Sequence, residues 1–150
     1  MDFEHADALN TALRSIGIRH RALAGALLSP LGLHPGQEVL LLELDAQGPR
    51  SQAQLAASAG CEPPTITVSV RKLEAAGLVV RRPAPADARV TMVELSDQGR
   101  ALLPRLREAW RELAEASVAG LSAIPLADLT DVLSDLAASL TSTHERTNHS

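Results

Sequence analysis

The stretch that most constrains the fold is PPTITVSVRKLEAAG, residues 63 to 77. Two prolines open it, where the first-turn N–H groups are unpaired in any case, and Gly77 supplies a left-handed stop. Between them Ile66, Val70 and Leu73 recur at i, i+4 and i+7, which predicts an amphipathic helix over 63–76 with that stripe turned inward. Just upstream, Ser51 and Gln54 have capping-box spacing and Gly60 is a second stop, so a shorter helix precedes the first. Two helices joined by a turn of three or four residues have the outline of a helix-turn-helix reader of DNA.

The outward side of the second helix carries Thr65, Thr67, Val68, Ser69, Arg71 and Lys72, with Pro64 at its start. Hydroxyls reach phosphates or base edges, arginine forks onto guanine, and an apolar methyl meets thymine. An ordinary surface helix has the same kind of polar face. The residues after Gly77 separate the two readings. Residues 78 to 82 (LVVRR) and 89 to 95 (RVTMVEL) are β-rich runs around PAPADA, so a two-stranded ribbon is expected over 78–95. Its prolines, at 83 and 85, should stiffen the tip and keep it from pairing as a strand. Arg81 and Arg82 stand before the tip and Arg89 after it, with Asp87 placed to orient the Arg89 guanidinium. A cationic finger beside such a helix suits a minor groove, where narrow tracts concentrate negative potential. A plain hairpin with solvated arginines is the alternative.

The net charge of −4 sits poorly with a nucleic-acid partner until its distribution is read. Residues 50 to 110 hold nine basic against six acidic side chains, residues 1 to 49 three against six, and residues 111 to 150 two against six. The centre is basic and the ends acidic, as expected of a DNA-facing middle. Phe3 and Trp110 are the only aromatics, and the aliphatic remainder suits a mainly α protein. The acidic start and the lack of a membrane-length apolar run make the cytoplasm the expected compartment. One cysteine excludes an intrachain disulfide.

Along the chain, residues 4 to 28 read as a helix with Leu9, Leu13, Ile16, His20, Leu23 and Leu27 on one stripe. Pro35 should start a second, central helix that Gly48 and Pro49 stop. Ser96 should cap a long helix to about Gly120, burying Leu102, Leu103, Leu106, Trp110 and Leu113, with Pro104 bending it or marking its first turns. Leu126, Leu129, Leu133, Leu136 and Leu140 then form the three-four seam of a last helix that packs along another helix. The tail, THERTNHS, is expected to fray.

PGQ at 35–37, Leu55-Ala56, PPTITxxVxxLExxGLVxRR at 63–82 and D-x-R at 87–89 together resemble the MarR family of winged helix-turn-helix transcriptional regulators. The resemblance covers Leu31 to about Arg111. It implies one chain with a winged helix-turn-helix at 35–95, recognition helix about 63–76, wing 78–95, linking helix 96–118, and dimerisation helices at 1–30 and 118–146. It implies a homodimer whose recognition helices enter major grooves and whose wings reach minor grooves of a palindromic operator of double-stranded DNA. The expected function is that of a repressor released by a small-molecule effector. Relatives often carry arginine where this chain has Val68, a departure that bears on guanine readout.

The resemblance also implies an effector pocket, often taken by aromatic or phenolic acids. Candidate lining is Arg14, Ile16, Arg19 and His20 from the first helix, Val39 and Leu42 from the second, and Trp110, an arginine beside an apolar wall suiting a carboxylate. No catalytic constellation and no metal-ligand spacing is present, so neither an enzyme nor a cofactor is expected. The competing readings are a winged-helix protein-interaction module without DNA binding and a redox-responsive regulator using Cys61, whose place near a helix start would favour a thiolate.

Overall fold

The computed structural model describes residues 1–148. The chain divides into two compact units, Met1–Ala114 and the part from Glu115 onward. In the first unit, α1 (Phe3–Leu28) passes through a 3-10 turn (Ser29–Leu31) to α2 (Gln37–Gln47), β1 (Arg50–Ser51), α3 (Gln52–Ala59), α4 (Pro63–Ala75), β2 (Val79–Pro83), β3 (Thr91–Leu95) and most of α5 (Asp97–Val118), whose last turn lies in the second. α6 (Leu126–Asn148) belongs to the second.

The core is aliphatic. Leu40, Leu41 and Leu44 of α2 meet Leu55 of α3, Ile66, Val70 and Leu73 of α4, Val79, Val93 and Leu95 of the sheet, and Leu103 and Leu106 of α5. α2 is central, as its apolar sides predict, but it starts at Gln37 rather than Pro35. Gly36 is left-handed (φ 103°) and breaks the helix there. The buried Gln37 and Glu38 side chains serve the turn: Gln37 Oε1 accepts from the His34 N–H at 2.9 Å and Glu38 Oε2 from the Gly36 N–H at 2.7 Å. Buried polar groups are tolerated when bonded in this way.

The ribbon is three-stranded, not two-stranded. The order is β1-β3-β2, all antiparallel, with Arg50 opposite Val93 and Ser51 opposite Met92. β3 starts at Thr91 and leaves Arg89 in the loop, whereas Pro83 ends β2 opposite Thr91 instead of standing outside it. β2 is an edge strand, where a missing N–H is harmless.

Two sequence-based burial expectations fail. On α1 only Ala24 and Leu28 are buried, with Leu23 and Leu27 half-buried; Leu9, Ile16 and His20 are exposed because the earlier turns have no cover within their unit. On α5 the buried face is Gly99, Leu103, Leu106, Ala109 and Leu113, while Leu102 is half-buried and Trp110 is 36% exposed. The smaller alanine takes the place beside the core. α5 runs on through Pro104 and ends at Val118, just before Gly120. In α6 Leu129 and Leu136 are half-buried and Leu126, Leu133 and Leu140 exposed. Residues 143–148 of the tail, expected to fray, are helical, and His149 and Ser150 lie outside the described residues.

The wing is joined to α4 and α5 at one knot. Gly77 (φ 76°) ends α4 in a Schellman motif, its N–H donating to Glu74 O at 2.9 Å and that of Leu78 to Leu73 O at 3.0 Å. The Ser96 hydroxyl donates to Gly77 O at 2.5 Å and accepts from the Gly99 N–H at 3.0 Å, capping α5. Gly99 lies so close that a Cβ would stand 2.1 Å from the Leu78 carbonyl oxygen. Gly99→Ala should therefore destabilise the protein by about 2–4 kcal/mol, read as a fall in denaturation midpoint, although alanine is the better helix former. An unchanged midpoint would contradict this packing.

Candidate nucleic-acid interface

α3 and α4 take their places for separate reasons. Ser51 Oγ accepts from the Gln54 N–H at 3.1 Å and Gln54 Oε1 from the Ser51 N–H at 2.9 Å, so the capping box is complete. Leu55 and Ala56 are buried, and Gly60 (φ 63°) ends α3. In α4 Ile66, Val70 and Leu73 are 2%, 0% and 1% exposed. The opposite side must then face solvent. Pro64, Thr65, Val68, Arg71 and Lys72 are exposed there, and Thr67 and Ser69 are half-buried. The Thr67 hydroxyl donates to Pro63 O at 3.1 Å, so it has only its lone pairs to offer a donor. The Arg71 and Lys72 side chains hold no hydrogen bond or ion pair among the described residues. Val68, 51% exposed, is an apolar contact in the middle of this face.

The wing arginines are each held by a carboxylate. Arg81 Nε and Nη2 both reach Glu74 Oε1 on α4, at 3.1 and 2.9 Å. Arg82 Nε pairs across the sheet with Glu94 Oε1 at 2.8 Å. In the loop Asp87 accepts from the Arg89 backbone N–H and Nε on one oxygen, both at 3.0 Å, and from Nη2 on the other at 3.1 Å. The Arg89 side chain nonetheless remains 89% exposed. The loop closes through Ala84 N–H to Val90 O at 2.8 Å and Val90 N–H to Asp87 O at 3.0 Å. Glu74, Arg81, Arg82, Pro83, Ala88 and Thr91 line a cleft of about 250 Å³, so the end of α4 and the wing border one opening.

Glu74 and Glu94 escaped sequence reasoning. The Arg82–Glu94 pair needs the register, which sets Val80 opposite Glu94 and Arg82 one diagonal step away. The Arg81–Glu74 pair crosses the Gly77 turn, for which no periodicity rule exists. Among the described residues the effector candidates stand apart from the clefts that form. Arg14, Ile16, Arg19 and His20 are exposed on α1, Val39 and Leu42 half-buried on α2, and Trp110 exposed on α5. Five surface clefts form without any of them. Cys61 is exposed in the α3–α4 turn, its thiol donating to Ala59 O at 3.5 Å. Among the described residues no three His, Cys, Asp or Glu side chains gather for a metal ion, and no helix is long and apolar enough to cross a membrane.

Residues 33–91 match the profile of the MarR family. The chain is 32% identical over 121 residues to the HTH-type transcriptional repressor NicR of Pseudomonas putida, spanning 81% of this chain and 77% of that protein. Its fold superposes on a mutant MarR from E. coli complexed with operator DNA, with a TM-score of 0.80 at 22% identity over 91% of this chain and 99% of that one. For BpsR of Bordetella bronchiseptica, whose DNA binding is regulated by 6-hydroxynicotinic acid, the TM-score is 0.79 at 23% identity, over 85% and 91%.

The Asp87 carboxyl is held below the usual carboxylate range, first by the Arg89 side-chain hydrogen bonds and then by its backbone N–H. A depressed folded pKa stabilises the loop above the unfolded value of about 3.9 and ceases to do so as pH falls through the folded one. Val90 amide exchange, corrected for intrinsic rates, should therefore show no loop opening from about pH 8 to about pH 5, with loosening only in stronger acid. A transition near neutrality would contradict the clamp.

Proposed function

Because this chain belongs to the MarR family of winged-helix transcriptional regulators, we propose that it is a homodimeric repressor that leaves a palindromic operator when a small aromatic acid binds. One observation carries the reading: α4 buries Ile66, Val70 and Leu73 and so turns Thr65, Val68, Arg71 and Lys72 outward, next to a wing bearing Arg82 and Arg89. In this account Pro64, Thr65 and Ser69 meet phosphates and sugar edges at the start of the helix, Thr67 accepts from a base-edge donor, and Val68 meets thymine methyls. Arg71 and Lys72, whose side chains have no partner among the described residues, bind phosphate. Asp87 presents Arg89 to the minor groove.

Dimerisation is supported by apolar side chains left without cover within their own units: Phe3, Ile16 and Ile18 on α1, and Leu126, Val132 and Leu140 on α6. Exposed apolar surface on this scale marks an interaction face. Two-fold symmetry then places two recognition helices about one helical turn apart, about 34 Å, on an inverted repeat. The effector is proposed to bind Arg14, Arg19, His20, Val39, Leu42 and Trp110. Their exposure within their own unit fits a wall completed by a second copy. Release of DNA requires that the acid bind the non-binding spacing more tightly.

Fluorescence anisotropy with duplex DNA tests the reading. Affinity should fall steeply with salt, and Arg89→Ala should weaken operator binding by about 1–3 kcal/mol without lowering the melting temperature. Salt-insensitive behaviour and an unaffected Arg89→Ala variant would favour the protein-interaction module instead. In the same titration an aromatic acid should release the duplex and raise the melting temperature of the free protein. Neither effect, across a panel of such acids, would remove the effector from the account.

A further inference from the structure

We infer that Glu74 and Arg81 form a strut that sets the angle between α4 and the wing, which makes Arg81 a positioning residue rather than a phosphate contact. The inference deepens the DNA reading and rests on it. Side chains alternate along a strand, so Val79 and Arg81 share one face of β2 and Val80 and Arg82 the other. Val79 is buried in the core against which α4 packs, so Arg81 is directed to the helix while Arg82 crosses the opposite face to Glu94. The geometry agrees. Two guanidinium N–H groups converge on one oxygen of Glu74, in the last turn of α4. Arg81 is 33% exposed against 89% for Arg89.

The strut adds a direct tie between α4 and β2 to the support that the core and the sheet give the wing base. Val79 is buried at the base of β2, and the strand then runs outward as an edge strand paired with β3, whose Val93 and Met92 are in turn paired to β1. The hydrogen bond from Arg81 holds the Glu74 carboxyl below the usual range, so the pair persists across neutral pH. A wing coupled to α4 only through the Gly77 turn and the shared core would present Arg89 over a wider range of distances from α4. A wing tied at Arg81 presents it over a narrower one, and specific binding gains because less orientational freedom is lost on the duplex.

The test uses the full chain and a duplex that it selects from a random pool. Glu74→Gln and Arg81→Gln should each weaken specific binding about tenfold. The salt slope should stay near the wild-type value in Arg81→Gln but fall by about one in Arg89→Gln. The exchanged pair, Glu74→Arg with Arg81→Glu, should recover specific affinity to within about threefold of wild type. In the free protein, Glu74→Gln should speed amide exchange at Val80 to Arg82, and the exchanged pair should slow it again. A slope lowered by about one in Arg81→Gln, with Glu74→Gln binding like the wild type, would make Arg81 a phosphate contact and overturn the inference. Unchanged exchange in Glu74→Gln would overturn it too. If the wild type binds no duplex, the DNA reading fails, and the exchange measurement alone still decides whether the pair holds wing to helix.

Discussion

Burial of the Ile66, Val70 and Leu73 stripe determines which surface this protein shows to a partner. Each of these side chains is worth about 1.5–3 kcal/mol when removed from water, and all three are sealed against α2, α3 and the sheet. Rolling α4 about its axis to offer another face would expose them. No surface ion pair along the helix, worth at most about 1 kcal/mol, offsets that loss. The hydroxyls and cations of the outer face are therefore held outward by the core beneath them, not by contacts of their own. The Arg71 and Lys72 side chains make no hydrogen bond or ion pair among the described residues.

The wing is supported differently. At its base Val79, Val93 and Leu95 are buried, and Ser96 and Gly99 lock the Leu78 turn against the start of α5. Farther out the support is polar: Arg82 on Glu94, then Arg89 on Asp87. Stability thus falls from base to tip, as expected where a protein must adapt to a ligand. Carboxylates align these arginines while leaving their outer edges in solvent. Such an arrangement suits a groove contact, because a fixed guanidinium loses little entropy when it meets phosphate or a base edge.

The parts that were legible in the sequence are those governed by local rules. Prolines 63 and 64, Gly60, Gly77 and the Ser51–Gln54 box bounded α3 and α4 correctly, because caps act within one turn of chain. Asp87 was matched to Arg89 because the two are two residues apart. The misreadings share another cause. β1 is too short to leave a pattern, and the Glu74–Arg81 pair depends on how the chain folds back after Gly77. Trp110 was placed in the core because its spacing fits, but Ala109 beside it fills the space available. The α1 stripe is real as a pattern; its exposed half lacks a partner within its unit, and on the proposed reading a second chain provides one.

The central claim is that the α4 face and the wing cations act together on duplex DNA, doubled by a two-fold axis. Selection of bound sequences by the purified protein from a random duplex pool tests it most directly. An inverted repeat whose half-site centres lie about one helical turn apart should be enriched. Recovery of a single unrepeated site, or no enrichment at low salt, would contradict it.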